Sequence, residues 1–116
     1  MRHSGIVFAT VVVCVMCLLF VGCAHHNKRT HGDLIRYGIE LAEKGYWQEA
    51  AIQWRMVLDE DPENAAALNN LGVAAEVDNH PEEARALLIT ALKLRPDDTH
   101  IRRNLASVKD RTEKEG

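Results

Sequence analysis

Two of the three cysteines, Cys14 and Cys17, sit deep inside one long apolar run, and from Cys23 onward the remainder of the chain holds that single thiol. No disulfide can form within that remainder, even in an oxidising compartment that would permit one. Cys14 and Cys17 have C-x-x-C spacing, but no second pair exists and a thiolate is hard to form among Val, Met, Leu and Phe, so neither redox work nor a metal site is expected of them. Basic charge is also scarce: Asp and Glu outnumber Lys and Arg by 17 to 14. Only Arg102 with Arg103 approaches a cluster, which argues against a nucleic-acid partner. No glycine-rich elbow or spaced ligand set accompanies Ser107, His80 or His100, so neither catalysis nor a cofactor is expected. Nor does any stretch alternate apolar and polar residues as a half-buried strand would.

What is present begins with the apolar run itself, which extends from Ile6 to Ala24 without a charge. Its length is near the minimum for a membrane-crossing helix. A short basic start at Arg2 and His3, an apolar core and the small Gly22 before Cys23 instead have the layout of an export signal. Phe20, Val21, Gly22 and Cys23 resemble the bacterial lipobox, with Phe20 in the place where Leu is usual. The resemblance implies cleavage after Gly22 and a lipid on the Cys23 thiol. Ala24 in the next position implies sorting to the outer membrane, facing the periplasm. The alternative is an uncleaved signal anchor, and Lys28 and Arg29 after the run favour it, because only Arg2 precedes.

From Cys23 to Asp33 the chain is polar, lacks a hydrophobic period and reads as a flexible tether. His25, His26 and His31 fall within this stretch, but neighbouring side chains on an unordered tether are poorly placed to share an ion, and no metal is expected.

From Gly32 onward the sequence repeats itself at one constant lag, which pairs Leu34 with Leu68, Gly38 with Gly72, Glu49 with Glu83, Ala50 with Ala84, Leu58 with Leu92, and Pro62 with Pro96. Small residues recur where two helices must approach closely, and each proline follows a second helix that it cannot continue. Leu34, Tyr37, Gly38 and Leu41 share one face of a first helix; Ala50, Trp54, Val57 and Leu58 share one face of a second. Gly45 supplies a left-handed turn between them. In the next unit Asn79 or His80 is expected to cap the helix that Pro81 opens. A fifth helix follows Pro96, capped by Asp97, Asp98 or Thr99 and carrying Ile101, Leu105 and Val108 on one stripe. Ala106 stands in it where Gly38 and Gly72 stood.

These positions resemble the tetratricopeptide repeat, a helix-turn-helix module of this period. The pattern appears as Leu34, Tyr37 with Gly38, Leu41, Ala50, Trp54, Val57 and Pro62, then as Leu68, Leu71 with Gly72, Ala75, Ala84, Leu88, Ala91 and Pro96. The resemblance implies an all-α fold in a short right-handed superhelix. The expected organisation is a signal peptide over 1–22, a tether over 23–31, repeats over 32–64 and 65–98, and a capping helix with its tail over 99–116. Two repeats and a cap fall short of the three usually needed for independent stability, which implies a partner or self-association.

The same resemblance places a binding groove on the first helix of each repeat. Its candidates are Ile35, Ile39, Ala42, Glu43, Asn69, Asn70, Val73 and Glu76, with Arg103 or Asn104 from the cap. Ile35, Ile39 and Val73 are apolar outside the core stripe and are expected to take an apolar side chain of a partner protein or peptide, or else to pack on the tether or on a second copy. Family members that clamp a terminal carboxylate carry Lys in the place of Ile35 and Asn in the place of Ile39, and here only Asn70 matches. The function expected is that of a lipid-anchored adaptor at the bacterial envelope, in pilus or secretion assembly. The alternative is a homo-oligomerising structural subunit that uses the same face.

Overall fold

The computed structural model describes residues 28–115. Five helices follow one another: α1 (His31–Glu43), α2 (Trp47–Glu60), α3 (Ala65–Val77), α4 (Pro81–Leu94) and α5 (Thr99–Glu115). The described residues contain no strand. The apolar run and the lipobox with Cys23 lie outside them. None of the described helices is long and apolar enough to cross a membrane.

The helices start on signals that obey the lag of the repeat. Thr30, Asn64 and Asp98 open α1, α3 and α5. Thr30 accepts the Asp33 backbone N–H at 3.2 Å while the Asp33 carboxylate accepts the Thr30 backbone N–H at 3.1 Å, a reciprocal capping box. Asn64 Oδ1 accepts the Ala67 N–H at 3.1 Å, and Asp98 Oδ1 accepts those of His100 and Ile101 at 2.9 and 3.2 Å. Helix α1 therefore begins inside the stretch expected to be tether, and His31 belongs to it. Thr30→Ala and Asn64→Ala should each cost about 1 kcal/mol, read as a lowered urea midpoint at unchanged slope.

The turns repeat as well. Gly45 (φ 87) and Asn79 (φ 61) are equivalent positions of the two units, and both hold left-handed backbone. After each, a backbone N–H reaches back five residues, Tyr46 to the Leu41 carbonyl at 2.9 Å and His80 to that of Ala75 at 2.8 Å, which closes the first helix of the unit. Asn79 is thus a helix-ending residue rather than a cap. His80 stands at the cap position without capping, and its Nε2 lies 3.1 Å from Asp78 Oδ2. Ahead of the prolines, Asp61 (φ −135, ψ 84) and Arg95 (φ −134, ψ 76) take nearly the same extended conformation, because the proline ring disfavours helical backbone in the residue before it.

Each helix packs on the next in sequence, and α3 also touches α1 and α5, whereas α2 and α4 do not meet. The first helices of the units therefore form an inner layer and the second helices an outer one. Helix α3 is central: Leu71 and Ala74 join Trp54 and Val57 in one cluster, Leu68 joins Ala91 and Ile101 in another, and Ala75 joins Leu88 and Val108 in a third. The glycines make the close approach. A Cβ on Gly38 would overlap the Trp54 indole, and one on Gly72 would lie 2.7 Å from Leu88 Cγ and 3.3 Å from the Ala84 carbonyl oxygen. Trp54 and Leu88 are themselves equivalent positions of the two units.

Both ends of the stack depart from the repeat in the same manner. Where α3 sets Ala67, Leu71 and Ala74 against α2, and α5 sets Ile101, Leu105 and Val108 against α4, α1 has Asp33, Tyr37 and Glu40. Tyr37, expected on the core face, is instead 41% exposed, with the Arg29 guanidinium 5.1 Å above its ring. At the far end, Arg102, Ala106 and Lys109 occupy the places of Leu68, Gly72 and Ala75 and are exposed. Among the described residues neither end offers a neighbour a broad apolar face, so the stack is closed by its own side chains.

Candidate functional site

The inner layer borders a depression of about 440 Å³ walled by α1, α3 and α5, with α2 side chains reaching its floor. Its apolar lining is Ile39, Ala42, Trp47, Trp54 and Val73; its polar lining is Glu43, Asn69, Asn70 and Asn104. Ile39 is 42% exposed. The Trp54 indole forms part of the floor, and its Nε1–H is already satisfied by the Ile35 carbonyl at 3.3 Å. What the floor offers an incoming group is therefore apolar surface.

The amides run in a chain along one wall. Asn104 Nδ2 donates to Asn69 Oδ1 at 2.9 Å, and Asn69 Nδ2 donates to Asn70 Oδ1 at 3.3 Å. This chain ties α5 to α3 and fixes which way each amide points. Amides so held beside an apolar floor can bond the backbone of an extended segment whose side chain fills the depression. Among the described residues Glu43 is the one ionisable group in the lining, and it biases the groove toward a neutral or basic segment.

Of the groove residues read from the sequence, Ile39, Ala42, Glu43, Asn69, Asn70, Val73 and Asn104 come together here. Ile35 and Glu76 do not. Ile35 is half-buried against the first core cluster. Glu76 is turned to α5, where its Oε1 accepts Ser107 Oγ at 3.2 Å and pairs with Arg111 Nη2 at 3.1 Å, and its carbonyl accepts Arg111 Nη1 at 3.4 Å. It braces the cap rather than lining the groove. Arg103 is exposed outside the lining. Trp47, two residues beyond the turn at Gly45, lies outside the periodic stripe of the second helix that begins at Ala50, yet it is the first residue of α2 and lines the groove.

The edge of the first repeat carries an electrostatic clasp. Lys28 Nζ and His31 Nε2 each lie 3.1 Å from the Glu60 carboxylate and hold its pKa below the usual carboxylate value, the His31 hydrogen bond contributing most. Asp33 is likewise lowered, first by the Thr30 hydroxyl. Both carboxyls hold their protons less tightly folded than unfolded, so their contribution is present above the unfolded value and is lost as pH falls through the folded one. A modest drop in melting temperature from about pH 5 to about pH 3 is expected, and Glu60→Gln should flatten part of it. Of the six histidines, His3, His25 and His26 lie outside the described residues.

The tetratricopeptide repeat family model matches residues 42–108, more than half of the chain. The chain belongs to the tetratricopeptide repeat family. No curated protein matches it as a relative. Such repeats serve protein–protein interaction, and the depression lies on the inner layer formed by the first helices of the two repeats and the cap. In this tetratricopeptide protein Ser107 bonds Glu76 and His80 meets Asp78, so the hydroxyl and the imidazole singled out in the sequence have separate partners.

Proposed function

We propose that the protein is an adaptor that binds an extended segment of a partner protein in this groove while a lipid on Cys23 holds it at the bacterial envelope, on the outer membrane facing the periplasm. The observation that carries the reading is the juxtaposition of the apolar floor, Ile39, Val73 and the two tryptophans, with the amide chain Asn69, Asn70 and Asn104. The resemblance of the segment ending at Gly22 and Cys23 to a lipobox supports the anchor. A place in pilus or secretion assembly is consistent with a binding module held at the membrane, and it is the finest level of the proposal.

Two measurements test it. Intact mass of membrane-extracted protein should lack everything before Cys23 and carry acyl chains; a full-length, unmodified mass overturns the lipid anchor. For the groove, Val73→Asp should weaken capture of a cross-linked envelope partner by about thirtyfold, as loss of a central contact worth about 2 kcal/mol would. Thr90→Asp on α4, outside the groove, should not. Capture indifferent to both Val73→Asp and Ile39→Asp sinks the groove. Concentration-dependent dimers dissolved by Ile39→Asp would assign the same face to self-association.

A further inference from the structure

Helix α2 carries a second apolar stripe that the stack does not use. Its inner stripe, Ala50, Trp54 and Val57, is buried, yet Ile52 and Met56, one turn apart on the other side, remain 52% and 47% exposed. The repeat does not demand them, since the equivalent places of the second unit hold Ala86 and Thr90. Tyr46 and Val77, also exposed, stand with Ile52 around a shallow outer depression of about 680 Å³ whose rim also carries Glu49, Arg55 and Glu83, an interfacial mixture of apolar and charged side chains. No described helix covers it, because α2 and α4 do not meet.

One turn beyond Met56 on this face comes Glu60, the residue on which Lys28 and His31 converge. The chain therefore leaves the folded part, toward its N-terminus, at the end of this stripe. Cys23 is five residues before Lys28, a span of at most about 17 Å when extended. Along the helix axis Met56 is about 6 Å and Ile52 about 12 Å from Glu60. Attachment at Cys23 thus keeps near the bilayer a helix face whose large apolar side chains no described helix covers. Retention of the run Ile6–Ala24 as a span would do the same, since Ala24 is four residues before Lys28.

We infer that a lipid surface covers this stripe: α2 lies along the membrane interface with Ile52 and Met56 in the acyl boundary and Tyr46 at the headgroups. The inference rests on the membrane attachment proposed above. Charge selects the lipid. Glu49, Asp59 and Glu60 flank the stripe against Arg55, while Lys28 is engaged by Glu60 and Arg29 by Tyr37, so zwitterionic headgroups are favoured over anionic ones. With the outer layer against lipid, the groove on the inner layer faces away, open to a partner.

The full chain, purified from membranes, is reconstituted into zwitterionic vesicles whose lipids are brominated in the upper acyl chain, and Met56→Trp is compared with Thr90→Trp. The emission added at position 56 should be quenched by the bromines and that added at position 90 should not. Partial replacement by an anionic lipid should reduce the quenching, and an increase would overturn the choice of headgroup. Equal, unquenched emission at both positions in a chain that floats with the vesicles overturns the pose and leaves the attachment standing. A chain that fails to float overturns both. Shielding of position 56 from an aqueous quencher without bromine quenching would mean that protein covers the stripe, which also refutes the inference.

Discussion

Trp54→Ala is expected to cost about 3–5 kcal/mol, a large part of the about 5–15 kcal/mol that holds a small domain together. Trp54 is only 2% exposed, fills the space over Gly38 and donates to the Ile35 carbonyl, so its loss opens a cavity and removes one hydrogen bond between α1 and α2. The sharper test is its coupling to Gly38. In the intact protein Gly38→Ala drives a Cβ into the indole and should destabilise by about 1–3 kcal/mol. With Trp54→Ala in place the obstacle is gone, and the same change should stabilise by up to about 1 kcal/mol, because Ala is the better helix former. A reversal of sign, read by urea unfolding of the four proteins, isolates the contact. If Trp54→Ala proves too unstable to measure, Trp54→Val opens much of the space at lower cost. Should Gly38→Ala have the same effect in both backgrounds, small residues in register would not be what sets the helix spacing.

The register of the repeat was legible because its demands are steric and local. Gly38 and Gly72 have a large side chain above them, and Asp61 and Arg95 are bent alike by the prolines that follow. The start of α1 escapes the hydrophobic period, which begins at Leu34 and leaves the polar stretch before it reading as tether; only the lag, by which Asn64 and Asp98 point back to Thr30, carries it. Other assignments depend on what stands beside a helix, which periodicity does not encode. Tyr37 occupies the place of Leu71, yet Leu71 has α2 in front of it, whereas among the described residues Tyr37 has Arg29 over its ring and no helix. Glu76 and Val73 are both on α3, one turn apart, and the cap decides between them: Arg111 and Ser107 draw Glu76 aside, while Val73 stays in the groove. Ile35 is withdrawn by the first core cluster in the same way.

Val108→Asp should undo the cap, with an effect larger than Val73→Asp or Ile39→Asp in the groove. Val108 is fully buried against Ala75, Ala84 and Leu88, where no donor waits for a carboxylate, and α5 is expected to leave rather than bury a charge. Undocking α5 gives up Ile101, Leu105 and Val108, worth about 1.5–3 kcal/mol each in apolar burial before the ordering entropy of the helix is set against it. Far-UV circular dichroism should then lose signal equivalent to about one helix in five, since a free helix of this length is marginal in water. Leu88 and Ala91, bared on α4, should drive association visible by sedimentation. The groove should fail with the cap although Val108 lies outside its lining, because Asn69 loses Asn104 and Glu76 loses both Arg111 and Ser107. Ala106→Asp, on the exposed side of the same helix, is the control that should change none of these. If Val108→Asp kept its helix content and its melting temperature, α5 would be a passive tail, and two repeats would have to stand without it. If it unfolds the cap and releases the partner together, closing the stack and building the groove are one event, and a chain with so few repeats can afford no separation between them.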